Sequence, residues 1–552
     1  MKKIMVFILL ACTFLSLVAC GGGDKKDPVT TGALDNEPAN IMAWAFHGFE
    51  KTVTNVKPKS NDLSTDYTVY LSKGETEGCQ VAIYSDKKIE NATLTKKSGG
   101  ADNIEVSVYS MNITHSVSKY QYTDSLIPYS EKALTLEAKT ILPFMIEFKT
   151  NENTEAGEYK YVYEFKDGKG KVLATYNVTV HVWDFELPKE KTFVTAFGLG
   201  KHWIAYQGVY NEEIHAAWYD IMLEHNMCAY EIPYDILDDR ANDYMSNPRV
   251  TSFKVPVPEN EDGSIDEEKL IDTYNKLLTN DVWLSKAYFY PIDEPKNKNE
   301  LATLREWEKK LTALCPKIEI MAPYYTNIKV GEGRDQTDEM AEYTDLWCPK
   351  LCLWDDSKSY DEFLDYVPEK SFAERMAEQQ AKGDRMWTYV CNDPDDPYAQ
   401  MFIDTEGVVQ RLMFWQVYQR DIEGFLYWSV NSYGYKEGNA FIQNATPQNP
   451  WETTNTKVTT ADGKTIFGCG FLFYPGKDVR AGLAVPSIRA KIVRDGVDDI
   501  EMFYLAEKYL DKEWIVEKTK EGTPTLTEYA DGDKYVSLRI EIGNALEAKL
   551  KK

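Results

Sequence analysis

From about residue 40 to 187 the chain alternates apolar and polar positions in short, β-branched and aromatic-rich runs: Tyr67–Leu71, Cys79–Tyr84, Ile104–Tyr109, Ile141–Phe148, Tyr159–Phe165 and Val172–Val182. A period of two turns one face of each run to a core and the other to water. Asp167-Gly168 and Ala156-Gly157-Glu158 supply turn chemistry between runs, and no long helical pattern intervenes. The segment 41–188 therefore predicts an antiparallel β-sandwich. Leu187-Pro188, followed by Lys189-Glu190-Lys191, marks its expected end.

Beyond Pro188 the pattern changes. Short apolar strands begin near Phe193, Cys228, Val250, Ala287, Ile318, Asp345, Met386 and Gly424, with helix-period segments between them. Ile214, Ala217, Trp218, Ile221, Met222 and His225 recur at helical spacing. Asp404 is the expected N-cap of a helix presenting Val408, Leu412 and Trp415, and Leu270–Leu278, Leu301–Leu314 and Phe363–Ala381 fill further gaps. Eight strands separated mostly by helices predict a (β/α)8 TIM-like barrel over 189–510, a fold that carries its chemistry at the C-terminal ends of its strands. A long segment, Asn431–Val485, precedes the amphipathic stretch Pro486–Leu510 and is expected to wall that face. The charged segment 511–552 predicts a hairpin or short helices without an evident role.

The 552-residue length accommodates a multidomain chain, and 43% hydrophobic against 27% charged residues describes a globular one. A net charge of -26 repels phosphate backbones, so no nucleic-acid partner is expected. The aromatic content of 13% exceeds ordinary core needs and suits flat platforms on which sugar rings stack. At the N-terminus, Lys2 and Lys3 precede the apolar run Ile4–Leu17, then Leu17-Val18-Ala19-Cys20. This resembles a bacterial lipoprotein signal over residues 1–20. It implies cleavage before Cys20, lipidation of Cys20, a flexible tether over 21–40, and an exported protein anchored to a membrane. Of the remaining cysteines, none forms a Cys-x-x-Cys pair, and they are expected as small buried hydrophobes.

Familiar catalytic signatures are missing. There is no His-Glu-x-x-His, no Gly-x-Ser-x-Gly, and the glycines near 463–470 complete neither a P-loop nor a dinucleotide fingerprint. The informative stretch is Ala287-Tyr288-Phe289-Tyr290-Pro291-Ile292-Asp293-Glu294-Pro295, an apolar strand running into two adjacent carboxylates. By count this is the end of the fourth barrel strand, where a carboxylic acid of raised pKa would be built. Glycoside hydrolysis usually uses two carboxylates about 5 Å or roughly 6.5–9.5 Å apart across the scissile bond. Consecutive strand residues diverge too much to grip one bond from both sides. A different division fits: Glu294 protonates the leaving oxygen, while Asp293 orients the substrate's own 2-acetamido carbonyl for attack on the anomeric carbon. No metal or organic cofactor is required.

The order of signal, sandwich and barrel, with Tyr290-Pro291-Ile292-Asp293-Glu294-Pro295, is similar to glycoside hydrolase family 123. Matching segments are Gly74-Glu75-Thr76-Glu77-Gly78-Cys79-Gln80, Gly424-Phe425-Leu426-Tyr427-Trp428, Pro486-Ser487-Ile488-Arg489 and Arg494-Asp495-Gly496-Val497-Asp498-Asp499. The resemblance covers roughly residues 40 to 510. It implies a β-N-acetylgalactosaminidase with a substrate-assisted retaining mechanism, Asp293 orienting the acetamido group and Glu294 serving as acid/base. Candidates for the sugar subsite near later strand ends are Tyr324, Tyr325, Trp347, Trp387, Tyr389 and Trp428, with Asn431 as polar partner and His202 as a hydroxyl donor; Trp428 is the preferred platform. Arg489 and Arg494 are expected to pair with acids of the last helix. The reading is an exo-glycosidase removing terminal β-linked N-acetylgalactosamine from glycans. Its rivals are a glycosidase of a non-acetamido sugar using Glu231, Asp355 or Asp393 as a distant second carboxylate, and a non-catalytic glycan-binding lipoprotein.

Overall fold

The computed structural model describes residues 40–59, 63–324, 326–355, 367–394, 396–435, 446–452, 458–459 and 465–551. The expected signal, Cys20 and the tether up to residue 39 lie outside the described residues, as does Tyr325.

The N-terminal region is built from two five-stranded sheets. One has the order Ile41–His47, Thr76–Ser85, Thr140–Thr150, Ile104–Ser110 and Ile127–Pro128; the other runs Asp66–Lys73, Val172–Glu186, Gly157–Lys166, Ile89–Ser98 and Leu134–Leu136. Val81, Ile83, Phe144 and Ile146 of the first sheet share a core with Tyr161, Tyr163, Val178 and Val180 of the second. The pairings are antiparallel with one exception, since Val172–Glu186 runs parallel to Asp66–Lys73. The strands Ile41–His47 and Ile89–Ser98 carry weak sequence signals. The first lacks alternation, and the second buries only Ala92 and Leu94 among charged and polar neighbours.

The second region is a seven-stranded, nearly closed parallel barrel. Its order is Val194–Phe197, Gly424–Tyr427, Arg385–Val390, Leu346–Pro349, Glu319–Tyr324, Ala287–Phe289 and Phe253–Lys254. The expected strand near Cys228 is reduced to one bridge, Phe197 to Ala229. Tyr230 N donates to Phe197 O at 2.8 Å, and Lys254 N donates to Tyr230 O at 2.6 Å. Glu231-Ile232-Pro233 then takes the chain away, Pro233 having no N–H to offer a ladder. Inside the barrel lie Ala196, Tyr288, Met321, Cys348, Trp387, Tyr389 and Leu426. Gly424 is required there, because a β-carbon on it would sit 2.4 Å from the Trp387 ring.

Asn211, Asp266, Asn297 and Ser371 cap the helices Glu212–Glu224, Glu267–Leu277, Lys298–Leu314 and Phe372–Lys382. Asp404 does not cap: the helix Gly407–Tyr418 begins after Glu406, with no side-chain cap. Every residue of that helix but Val409 is buried, not one face only, because Ile488–Glu507 packs along it and Gly407 abuts the Phe49 carbonyl. The C-terminal segment forms two helices, Lys512–Gly522 and Gly532–Leu550, and the second lies against the strand Val172–Glu186.

A seam of buried ion pairs fastens the two regions. Arg489 Nη2 is 2.8 Å from Asp124 Oδ2, Arg494 Nη1 is 2.7 Å from Glu147 Oε1, and Lys491 Nζ is 2.8 Å from Glu147 Oε2. Arg411 Nη2 meets Glu77 Oε2 at 2.9 Å and Asp499 Oδ1 at 3.0 Å, while Arg539 pairs with Glu75 and Asp499. The expectation that Arg489 and Arg494 pair within the last helix is thus corrected. Their chief partners are acids of the sandwich, and only Asp495, bound by Arg494, belongs to that helix. Glu75 and Glu77 of the Gly74–Gln80 segment serve this seam, since a buried carboxylate is tolerable only when matched by fixed cations. The seven cysteines from Cys79 to Cys469 carry free thiols, six of them buried.

Candidate active site at the barrel rim

The strand Ala287–Phe289 stops short of the carboxylates, and the chain crosses the rim through Tyr290-Pro291-Ile292 before Asp293 and Glu294. Glu294 has φ of 41°. That left-handed conformation costs a non-glycine residue about 1 kcal/mol and turns the two neighbours toward separate partners. The Tyr290 hydroxyl donates to Asp293 Oδ1 at 2.7 Å. The Tyr389 hydroxyl, from the strand Arg385–Val390, donates to Glu294 Oε1. Asp293 is exposed, whereas the Glu294 side chain is 20% exposed.

Burial pushes the Glu294 carboxyl above its ordinary range; the Tyr389 hydroxyl opposes this, the Asp293 charge adds to it, and Lys296 and Lys350 oppose it. The site thus sets an exposed carboxyl beside a sheltered one whose pKa burial raises. Among the described residues, no group of three or more His, Cys, Asp or Glu side chains could hold a metal ion.

Of the aromatic candidates, Tyr389 reaches the carboxylates, its hydroxyl donating to Glu294. Trp428 stands just beyond the last strand, part-buried against Phe402, Ile466 and Cys469, with a ring edge so close to Gly470 that a β-carbon there would sit 1.9 Å away. His202, exposed, follows the first strand on the same rim; burial moves its pKa down.

The remaining described candidates, Trp387, Trp347, Tyr324 and Asn431, are buried. Trp387 is 1% exposed and stacks edge-on to Tyr288 at 5.0 Å, filling the barrel interior. Trp347 faces the helix layer, its Nε1 donating to Asp384 Oδ2 at 3.0 Å. Tyr324 also points outward, stacked on Phe372 at 5.6 Å and bonded to Thr337 Oγ1. Asn431 is fully buried and ties two rim loops together, accepting from Gly200 N at 2.8 Å and donating to Gly200 O at 3.1 Å. Strand alternation turns Trp347 and Tyr324 toward the helix layer, whereas Trp387 shares the barrel interior with Tyr389 below the rim.

The three rival carboxylates are each engaged. Glu231 is 3.1 Å from Lys254 Nζ and 3.7 Å from Lys201 Nζ, Asp355 accepts from the Tyr398 hydroxyl at 2.6 Å, and Asp393 pairs with Lys350. A cavity of about 260 Å³ on the strand-end side is lined by Lys201, Glu231, Tyr234 and Lys254. A larger one, about 460 Å³, lies along the seam beside Glu147, Lys491 and Arg494, away from Asp293 and Glu294. Sequence reasoning overlooked Tyr290, Tyr230 and Lys350. Tyr290 was readable three residues before Asp293, and Tyr230 packs edge-on to it at 5.8 Å. Lys350 carried no signal, because its partner lies 43 residues away.

A family model described as glycoside hydrolase 123, catalytic domain, matches residues 217–506. The solved structure of a family 123 glycoside hydrolase from Clostridium perfringens, described by its glycolipid glycan hydrolysis, aligns with TM-score 0.59 and 15% identity over 92% of this chain and 98% of that one. A Parabacteroides merdae β-glucuronidase aligns over 71% of this chain and 46% of its own at TM-score 0.25 and 10% identity, too distant to carry an argument. A comparison with curated proteins gave no match.

Proposed function

This chain belongs to glycoside hydrolase family 123 and is a glycoside hydrolase, and from that premise we propose that it is a retaining exo-enzyme releasing terminal β-linked N-acetylgalactosamine through the substrate's own acetamido group. The observation that carries the reading is the division between neighbours: Asp293 open and held by Tyr290, Glu294 sheltered and held by Tyr389. Asp293 accepts the amide N–H, aligning its carbonyl oxygen with the anomeric carbon and offsetting charge on the oxazolinium ion. Glu294 gives its proton to the departing oxygen, then takes one from water that opens the oxazoline, so two inversions give retention. Trp428 offers the sugar an apolar face, and His202 a donor at the rim.

We read the Ala229 bridge as the shortened second strand of an eight-fold (β/α)8 barrel. The N-terminal pattern supports export and lipidation at Cys20, which would hold the enzyme at a membrane among glycans. The Clostridium perfringens relative's action on glycolipid glycans makes glycolipid oligosaccharides suitable trial substrates.

A panel of aryl β-glycosides tests the function. Cleavage of the N-acetylgalactosaminide, with a thiazoline analogue of that sugar inhibiting competitively, is expected. Equal cleavage of 2-hydroxy sugars would transfer the reading to a distant second carboxylate, and binding without turnover would make this a glycan-binding protein.

A further inference from the structure

Lys350 follows the strand Leu346–Pro349, and its backbone is fixed from both sides. Its N–H donates to Tyr324 O at 2.8 Å, and it forms a parallel bridge with Tyr389. Residues paired across parallel strands project to the same face about 5 Å apart. The Lys350 side chain therefore rises beside that of Tyr389, whose hydroxyl holds Glu294. Its ammonium is buried, 6% exposed, and bonded to Asp393, which is 42% exposed and also accepts from Cys391 Sγ at 3.0 Å. Unlike the seam cations, this one lies beside the side chain that holds Glu294, and a buried charge acts over a longer range than a solvated one.

We infer that Lys350, restrained by Asp393, is a positioning residue for Glu294, setting through its charge the pH at which that carboxyl exchanges its proton. This rests on the reading of Glu294 as the acid/base. The groups facing Glu294 are Asp293 on its own loop, Tyr389 and Cys391 from one neighbouring strand, Cys348 and Lys350 from another, and Lys296 from the following turn. Lys350 and Lys296 are the cations among them, and Lys296 is solvated, with 57% of its side chain exposed and its Nζ 4.0 Å from Glu294 Oε2. Asp393 partly cancels the charge of Lys350, so the pair acts as a graded field. This assigns Asp393 a task other than that of a second carboxylate on the substrate.

The pair predicts opposite effects from its two halves. Lys350→Met removes a cation that favours ionised Glu294, so the basic limb of the kcat/KM profile should move up by about one pH unit. Asp393→Asn leaves that cation uncancelled, so the same limb should move down, by about half a pH unit. Lys350→Arg should restore the limb to within a few tenths of a pH unit. Asp393 is partly exposed, so its variant decides the matter even if Lys350→Met fails to fold. Movement of both limbs in one direction, or of neither, would overturn the inference. The Glu294→Gln profile keeps the two readings apart: a limb that persists there belongs to another group and removes Glu294 as acid/base, whereas a limb that vanishes there and ignores Lys350 and Asp393 removes only their role.

Discussion

The seam between sandwich and barrel and the barrel rim both bury carboxyl groups, yet Glu147 and Asp499 of the seam and Glu294 of the rim are shifted in opposite directions. At the seam, burial alone would raise Glu147, but Arg494 and Lys491 hold it well below the ordinary range; Asp499, likewise buried, is drawn by Arg411 and Arg539 down to about 2. At the rim, burial raises Glu294, whose nearest partner is a neutral hydroxyl. Burial acts on all three carboxyls; two fixed cations outweigh it at Glu147 and at Asp499, whereas at Glu294 the opposing groups do not, and Asp495 of the seam, which shares Arg494 and Arg411 with other acids, is pushed up to about 8. The ion pairs of Glu147 and Asp499 thereby fasten the seam, and the raised Glu294 suits the proposed proton transfer at the rim.

Glu294→Gln is the hardest test of that contrast. It should lower turnover of substrates with poor leaving groups by roughly 10²–10⁴-fold while leaving the fold intact, and steady-state kinetics would show it. An unchanged rate would leave the rim no more reactive than the seam. Arg411→Met should do the reverse, costing about 3–5 kcal/mol in denaturant unfolding because Glu77 and Asp495 lose a cation; a stable variant would mean that the seam is not what joins the regions. Asp293→Asn should slow acetamido substrates by about 10²-fold even with activated aryl leaving groups, and a loss confined to poor leaving groups would exchange the roles of the two residues. Glu308→Gln examines a third condition, a carboxyl on the helix Lys298–Leu314 that burial, then Asp345, pushes up to about 9, against Arg305. Its stability contribution is greatest below the unfolded value near 4.5 and declines as pH rises toward 9. Denaturant unfolding should therefore find the variant more stable than the parent at pH 7.5, by up to about 4 kcal/mol, with the gain gone near pH 4.5. Tyr389→Phe, the mildest, removes a donor to ionised Glu294 and should move the basic limb of kcat/KM upward by about half a pH unit.

The runs Cys79–Tyr84 and Ile141–Phe148 fell inside observed strands because they are apolar and β-prone, although the structure buries both of their faces and not the alternate positions alone. The strand near Cys228 did not form as read: three apolar residues suffice for a pattern, but Glu231-Ile232-Pro233 leaves room for only one bridge. Asp293 and Glu294 were conspicuous at a strand end. Trp347 and Tyr324 looked as suited to a sugar as Trp387 and Tyr389, yet which side of a strand faces the barrel interior depends on register, and register is settled by neighbouring strands.

What the chain dictates locally is therefore its periodicity, its caps and the adjacency of two acids after an apolar strand, all consequences of short-range sterics and solvation. Tertiary structure alone decided that Tyr389 meets Glu294, that Lys350 meets Asp393, and that Glu75 and Glu77 meet Arg539 and Arg411. Those meetings join residues dozens to hundreds of positions apart. The charge state of a carboxyl depends on what surrounds it in space, which no local pattern encodes.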